Sequence, residues 1–490
     1  MANGPPKSVQ AYLDETPAWA DGTPIHTVEL TAMQWRIWWL AAAGKFFEGM
    51  IVFMTGVALP LVALEFDLDA AGQGMVGAAT LAGILVGATA LGGLADHVGR
   101  KRMFIVEMAI FTVFLTLTAA CTTFPLLLVC LFGIGVALGC DYPTAHLVIS
   151  ESIASNRRGR LVLGAFAFQA VGALTGTAVG YLILRADGGL RDWRLMYATA
   201  VIPALLVTLG RLSVTGSAHW LVQRGRIREA ERELRRLLHR RPAYPSAVTL
   251  AQPEAGGHGP KADGWRILFS RRHRRATMLA SIPWFLQDLG TYGIGIFTPT
   301  ILATTIGKAD SHGHNLAAVV HADMLAARGA AMIDVLLIAG IAAAILLVDR
   351  VGRIRLQTLG FVGCAVGLLI AALSMQVEGT LQLVMVFAGF MLFNFMTNLG
   401  PNATTYLLAG EVFPTAIRGR GAGLAASVGK IGAVLTAFLF PVLLKDIGVG
   451  ALLCILMATS LLGAWITAHY AIETTGVNLE TLEASCSDAT

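Results

Sequence analysis

The chain has 490 residues, 55% of them hydrophobic and 14% charged, with a mean hydropathy of +0.67. A soluble domain carries about 25% charged residues, so an ordinary soluble fold is excluded and the bilayer is the expected solvent. The net charge of +5 follows from basic loops between apolar runs and calls for no nucleic-acid partner.

Residues 1–33 are polar, and the first 30 hold four prolines and four acids. No basic stretch precedes an apolar core there, so no cleavable signal peptide is expected. Twelve apolar runs follow, each near the ~20 residues that a helix needs to cross a bilayer. They are α1 at 34–63, α2 at 72–95, α3 at 103–121, α4 at 124–150, α5 at 161–184 and α6 at 195–214. After a long polar stretch come α7 at 274–303, α8 at 329–348, α9 at 356–375, α10 at 380–410, α11 at 420–443 and α12 at 447–470. The ~10-residue alternation of a membrane β-barrel is missing. The expected fold is an all-α membrane protein of twelve transmembrane helices in two pseudo-symmetric six-helix halves. Residues 1–33 form a cytoplasmic segment, 34–215 the first half, 216–273 a cytoplasmic linker, 274–470 the second half and 471–490 a cytoplasmic tail. Within the linker, Gly225 to Arg241 reads as an Arg-rich amphipathic helix lying at the membrane surface.

Orientation follows from Lys and Arg. Arg100, Lys101 and Arg102 follow α2; Arg157, Arg158 and Arg160 follow α4; Arg350, Arg353 and Arg355 follow α8; Arg418 and Arg420 follow α10. The segment 216–275 holds 14 Lys/Arg against 5 Asp/Glu. These loops share one side, expected to be cytoplasmic together with both termini. His312, His314 and His321 lie in the opposite α7–α8 loop, where a solvated loop is preferred over a metal site. The cysteines at 121, 130, 140, 364, 454 and 486 lack metal-ligand spacing and read as packing residues. No cofactor is expected.

A loop motif repeats at half-chain spacing. Leu94-Ala95-Asp96-His97-Val98-Gly99-Arg100 recurs as Leu347-Val348-Asp349-Arg350-Val351-Gly352-Arg353, 253 residues later. Glu151, Arg158 and Gly159 recur as Glu411, Arg418 and Gly419, 260 residues later. Such duplication marks two halves that rock around a central site. Gly99 and Gly352 permit a tight turn, and Arg100 can reach a carboxylate on another helix, with Glu151 and Glu411 as candidates. The expectation is an ionic latch that breaks and re-forms as the halves move. The alternative is simple anchoring of helix ends.

Ionisable groups at membrane depth are functional by default. The candidates are Glu48 on α1, Glu107 on α3, Asp141 on α4, Asp288 on α7, Asp334 on α8 and Lys430 on α11. Glu107 reads as structural, snorkelling or paired with Arg102, and Asp334 as structural near the outer end of α8. On α7, Trp284, Asp288 and Tyr292 stand at i, i+4 and i+8, one helical face that can line a polar cavity. Pro143 on α4 removes a backbone donor and is expected to disturb that helix. Tyr142 and Asn402 occupy matching, Pro-flanked places in the two halves, and Gln169 and Asn398 are further polar groups inside α5 and α10.

The motif from Gly92 to Lys101, its echo after α8 and the 6+6 layout resemble the major facilitator superfamily. Asp141-Tyr142-Pro143, the Trp284/Asp288/Tyr292 stripe, Gly400 to Thr405, Gly410 to Thr415 and Gly429 to Ala433 resemble its phosphate:proton symporter branch. That resemblance implies that Tyr142, Gln169, Trp284, Asp288, Tyr292 and Asn402 contact phosphate, that Asp141 lies on a proton route and that Glu48 takes the place of the α1 proton carrier. The family's α1 usually carries an Asp-x-x-Asp pair. Here Glu48-Gly49-Met50-Ile51 lacks the second acid.

Donors from Tyr142, Gln169, Trp284, Tyr292 and Asn402 with one acceptor, Asp288, suit dihydrogen phosphate, whose P–OH can donate to the carboxylate. Lys430 reads either as local positive charge for the anion or as a structural partner, and Asn398 either as a substrate contact or as a structural group. The resulting expectation is a proton-coupled importer of inorganic phosphate in the plasma membrane. The alternatives are a symporter of another small solute, such as an organic acid, phosphorylated metabolite or sugar, and, more distantly, a solute receptor. No nucleotide loop, metal cluster or nucleophile–base spacing suggests an enzyme.

Overall fold

The computed structural model describes residues 6–15, 30–91, 97–186, 188–239, 248–251, 265–306, 316–414 and 417–474. Among these the chain is almost wholly helical, with a lone β-bridge between Lys7 and Leu250. The observed helices extend the apolar runs. α1 is Ala32–Glu65, α2 Ala70–Val86 with a wider turn at Gly87–Leu91, α3 Arg100–Ala120, α4 Phe124–Ser150 and α6 Asp192–Leu212. α5 comprises Ser155–Phe166 and Phe168–Ala186. In the second half α7 is Arg274–Ile306, α8 Leu316–Val351 and α9 Arg353–Leu373. Each is long enough to cross a bilayer at 1.5 Å per residue.

The ends and breaks have local causes. At the start of α1, Thr31 accepts from the Gln34 amide while the Gln34 side chain accepts from the Thr31 amide, a reciprocal cap. Asp69 caps α2 through the Gly72 amide at 2.7 Å. Gly99 and Gly352 precede α3 and α9 with φ of 104° and 95°. That left-handed backbone favours glycine, and the duplicated motif thus has duplicated geometry. α10 is interrupted at Gly400, between Thr380–Leu399 and Pro401–Glu411. Gly448, at φ 77°, divides the last long helix into α11 at 418–447 and α12 at 449–469. Pro143, by contrast, sits inside a continuous Phe124–Ser150 helix. The expected disturbance there does not stop the helix, and Thr144 Oγ1 bonds the Cys140 carbonyl at 2.9 Å one turn back.

Within each half the helices pack mainly on one another, α1 on α5 and α3 on α4, then α7 on α11 and α9 on α10. The halves meet through α1 with α7, α2 with α11 and α5 with α8. On the face away from the basic loops this contact is close. A side chain at Gly56 would overlap the Ile296 carbonyl, and one at Gly74 the Phe438 carbonyl. On the basic-loop side, Tyr406 of α10 stacks on Phe166 of α5 with centroids 4.9 Å apart and meets Trp284 edge-on at 6.4 Å. Contacts between halves therefore lie on both sides of the centre.

The linker helix is Ile227–Leu238. Its apolar residues Ala230, Leu234, Leu237 and Leu238 are buried in one cluster with Val9, Tyr12 and Leu13 of the short helix Val9–Asp14 and with Ile37 and Trp38 of α1. The apolar face of this helix is thus turned to protein. His312 and His314 lie outside the described residues, and His321 is exposed on α8.

Candidate functional site

Four helices bring polar side chains together midway between the two faces. On α1, Glu48 is 3% exposed and pairs with Lys45, three residues earlier, at 2.5 Å. That spacing puts both on one helical face. Lys430 of α11 donates to Tyr292 Oη at 2.7 Å and to Asp288 Oδ2 at 3.3 Å, both on α7, and lies 3.8 Å from Glu48 Oε1. Tyr292 donates to Glu48 Oε1 at 3.2 Å. Gln169 of α5 donates to the same Glu48 oxygen and to Tyr292 Oη, each at 3.3 Å. Gly429 lies directly against the Trp284 ring, which lets α11 approach α7 beside Lys430. Two ammonium groups and two carboxylates thus share one buried hub, with formal charge balanced.

A second arm runs along amides. Gln287 of α7 donates to Asn402 Oδ1 at 3.3 Å, Asn402 donates to Asn398 at 2.5 Å, and Asn398 donates to the Leu337 carbonyl of α8 at 3.0 Å. Gln287 Oε1 is buried with no donor facing it among the described residues. Asn402 therefore joins α7 through Gln287, a residue that sequence reasoning passed over because it stands one turn before Thr291, off the Trp284/Asp288/Tyr292 stripe. The Tyr142 side chain lies outside the described residues, although its backbone is part of α4.

Asp141 is placed elsewhere. Its carboxylate pairs with Arg211 of α6 at 2.7 Å, and the same guanidinium lies 3.3 Å from Glu107 of α3. Arg211 also donates to the Phe104 and Leu40 carbonyls at 2.7 and 3.1 Å and is fully buried. Glu107 is thus a partner of Arg211, not of Arg102. Any side chain at Gly44 would overlap the Asp141 carboxylate, so this cluster adjoins α1 one residue from Lys45. Arg211 lies in the last turn of α6 and is not singled out by the sequence. The signal that distinguishes it is a position opposite two acids on other helices, which sequence does not contain. Asp334 is not near the outer end of α8, because that helix begins at Leu316 and not at 329.

The loop charges pair inside each half. Arg100 meets Glu151 at 3.4 Å, and Arg353 meets Glu411 at 3.3 Å and Asp349 at 2.9 Å. The partners repeat as well, since Ser217 donates to Glu151 at 2.6 Å and Thr474 to Glu411 at 2.5 Å. These bonds tie α3 to α4 and α9 to α10, so they hold each half together and do not bridge the halves in this state. Arg158 donates to Gln10 at 3.0 Å. Asp96 and the Arg418 side chain lie outside the described residues.

Comparison with known proteins gives the family and the fold. A family model described as "Sugar (and other) transporter" matches residues 38–485. The inner membrane metabolite transport protein YgcS of Escherichia coli is 29% identical, over 88% of this chain and 90% of its own. The "Probable inorganic phosphate transporter 1-6" of Arabidopsis thaliana is 26% identical over 83% of both. The solved structure of the major facilitator superfamily proton:xylose symporter XylE superposes with a TM-score of 0.73 at 21% identity, over 93% of this chain and all of that one.

Proposed function

For a chain that belongs to the sugar (and other) transporter family, a membrane transporter with the major facilitator fold, we propose proton-coupled import of inorganic phosphate across the plasma membrane by alternating access. The carrying observation is Lys430, a buried ammonium held by Tyr292, Asp288 and Glu48 where α1, α5, α7 and α11 converge. A dihydrogen phosphate entering this hub takes Lys430 and Tyr292 as donors to its P–O⁻ oxygens and gives its P–OH to Asp288. Gln169, Trp284 and Asn402 supply the remaining donors, and Tyr142 the α4 side. Sulfate, fully ionised, has no proton for Asp288 and is disfavoured there. Glu48 and Asp141 belong to the proton-coupling route in this reading. The basic loops face the cytoplasm, by the excess of Lys and Arg.

A sugar or other hydroxyl-rich metabolite is the second reading. The Gln287–Asn402–Asn398 amide chain favours it, because amides recognise hydroxyl groups and Gln287 Oε1 faces no donor among the described residues. Uptake into proteoliposomes under an acid-outside gradient separates the two. Radiolabelled phosphate, sulfate, D-xylose and nicotinate are offered singly and in competition. Accumulation of phosphate, with weak competition by sulfate and none by xylose, is the expected result. Accumulation of xylose without phosphate transfers the site to the second reading.

A further inference from the structure

Asp334 belongs neither to the hub nor to the Arg211 cluster. It is 3% exposed and midway along α8, and among the described residues no cation pairs with it. Its two oxygens have different partners. Oδ1 accepts from Asn394 of α10 at 3.3 Å, and Oδ2 lies 2.7 Å from Thr177 Oγ1 of α5. Thr177 Oγ1 is also 2.8 Å from the Ala173 carbonyl, one turn back on its own helix. A hydroxyl has one hydrogen. If Thr177 spends it on Ala173, the short Thr177–Asp334 contact needs its hydrogen from Asp334. An ionised carboxylate here is the costly alternative, because burial without a cation strongly disfavours charge.

Among the described residues the surrounding helices bring no cation into an ion pair with it. α5 offers Thr177 and α10 offers Asn394. On α1, Lys45 and Glu48 pair with each other; on α7 and α11, Asp288, Tyr292 and Lys430 bond one another. Asp323 shares the α8 stripe three turns earlier, since 11 residues advance the helix by about 1100°, close to three full turns. It too is buried, and neither of its oxygens has a hydrogen-bond partner among the described residues.

We propose that Asp334 is a proton-binding site between the two halves, a neutral carboxyl whose Oδ2–H donates to Thr177 while Oδ1 accepts from Asn394. The Thr177 bond joins the first half to the second. When α5 and α8 part, that bond breaks, water reaches the carboxyl, and the proton passes to the aqueous side that has opened. The carboxylate left behind opposes reclosure until a proton returns. The presence of this proton is independent of the cargo, and its use for coupling rests on the transport reading above.

The test uses full-length protein in liposomes. Infrared difference spectra between acid and alkaline buffer are compared for wild type and Asp334→Asn. The expected result is a protonated-carboxyl C=O band in wild type that is missing in the variant. The variant should keep its thermal midpoint, since the Asn amide donates to Thr177 as the acid did. Identical carboxyl spectra in both proteins, or a large loss of thermal stability in Asp334→Asn, overturn the proposal. With phosphate as the probe, Asp334→Asn should retain counterflow while gradient-driven accumulation falls to the level of the no-gradient control. Full accumulation by the variant overturns the coupling role. If wild type moves no phosphate, the cargo reading fails, and the infrared comparison still decides the proton site.

Discussion

Lys430→Met is the sharpest perturbation of the hub. Lys430 touches Tyr292 at 2.7 Å, Asp288 at 3.3 Å and Glu48 at 3.8 Å. Glu48 keeps Lys45 at 2.5 Å, so the group stranded by the change is Asp288, 2% exposed. Removing one partner of a buried ion pair costs about 3–5 kcal/mol of stability. Phosphate additionally loses one charge-assisted hydrogen bond, about 1.5–3 kcal/mol, or roughly 10- to 150-fold in affinity. These effects separate in the double variant Lys430→Met/Asp288→Asn. Neutralising both partners restores most of the stability, since a buried pair replaced by neutral groups is often near neutral. It cannot restore the donor or the acceptor for phosphate. Thermal unfolding and radiolabelled phosphate uptake are measured on both proteins. Recovery of uptake together with stability in the double variant would refute the reasoning, leaving Lys430 a counter-ion for Asp288 and nothing more.

Three further outcomes are expected. Arg211→Met strands Asp141 and Glu107 and the Phe104 and Leu40 carbonyls; stability should fall by about 3–5 kcal/mol, with partial rescue by Glu107→Gln in the same thermal assay. Gly56→Ala places a methyl on the Ile296 carbonyl between α1 and α7, so spin labels on the ends of those helices away from the basic loops should report longer distances, and an unchanged distribution speaks against closure there. Tyr406→Ala deletes the Phe166 stack, worth about 0.5–1.5 kcal/mol. The state open on the basic-loop side should gain roughly 2- to 13-fold in population, read as greater separation of labels at the basic-loop ends of α4 and α10.

What the sequence by itself determined follows from local rules. Low charge and long apolar runs define a membrane protein, and the repeats at 253 and 260 residues define two halves. The 3.6-residue period puts Trp284, Asp288 and Tyr292 on one face, and buried charge marks Glu48 and Lys430. The left-handed φ at Gly99 and Gly352 is equally local, which is why the loop motif and its geometry repeat together. Partner choice is not local. Arg211 finds Asp141 and Glu107 on two other helices, Lys430 reaches from α11 to α1 and α7, and Thr177 meets Asp334 across the halves. Arg100 and Arg353 could each have met acids of either half, and packing of α3 on α4 and α9 on α10 gives them Glu151 and Glu411. Contacts made over 50 to 380 residues of chain depend on how helices dock, and docking is set by the sum of all buried surfaces, such as the small residues Gly44 and Gly429 that admit a carboxylate or an indole. A motif names the groups that can ionise or bond, and only the tertiary structure decides which of them neutralise each other and which, like Asp334, are buried with hydroxyl and amide partners instead.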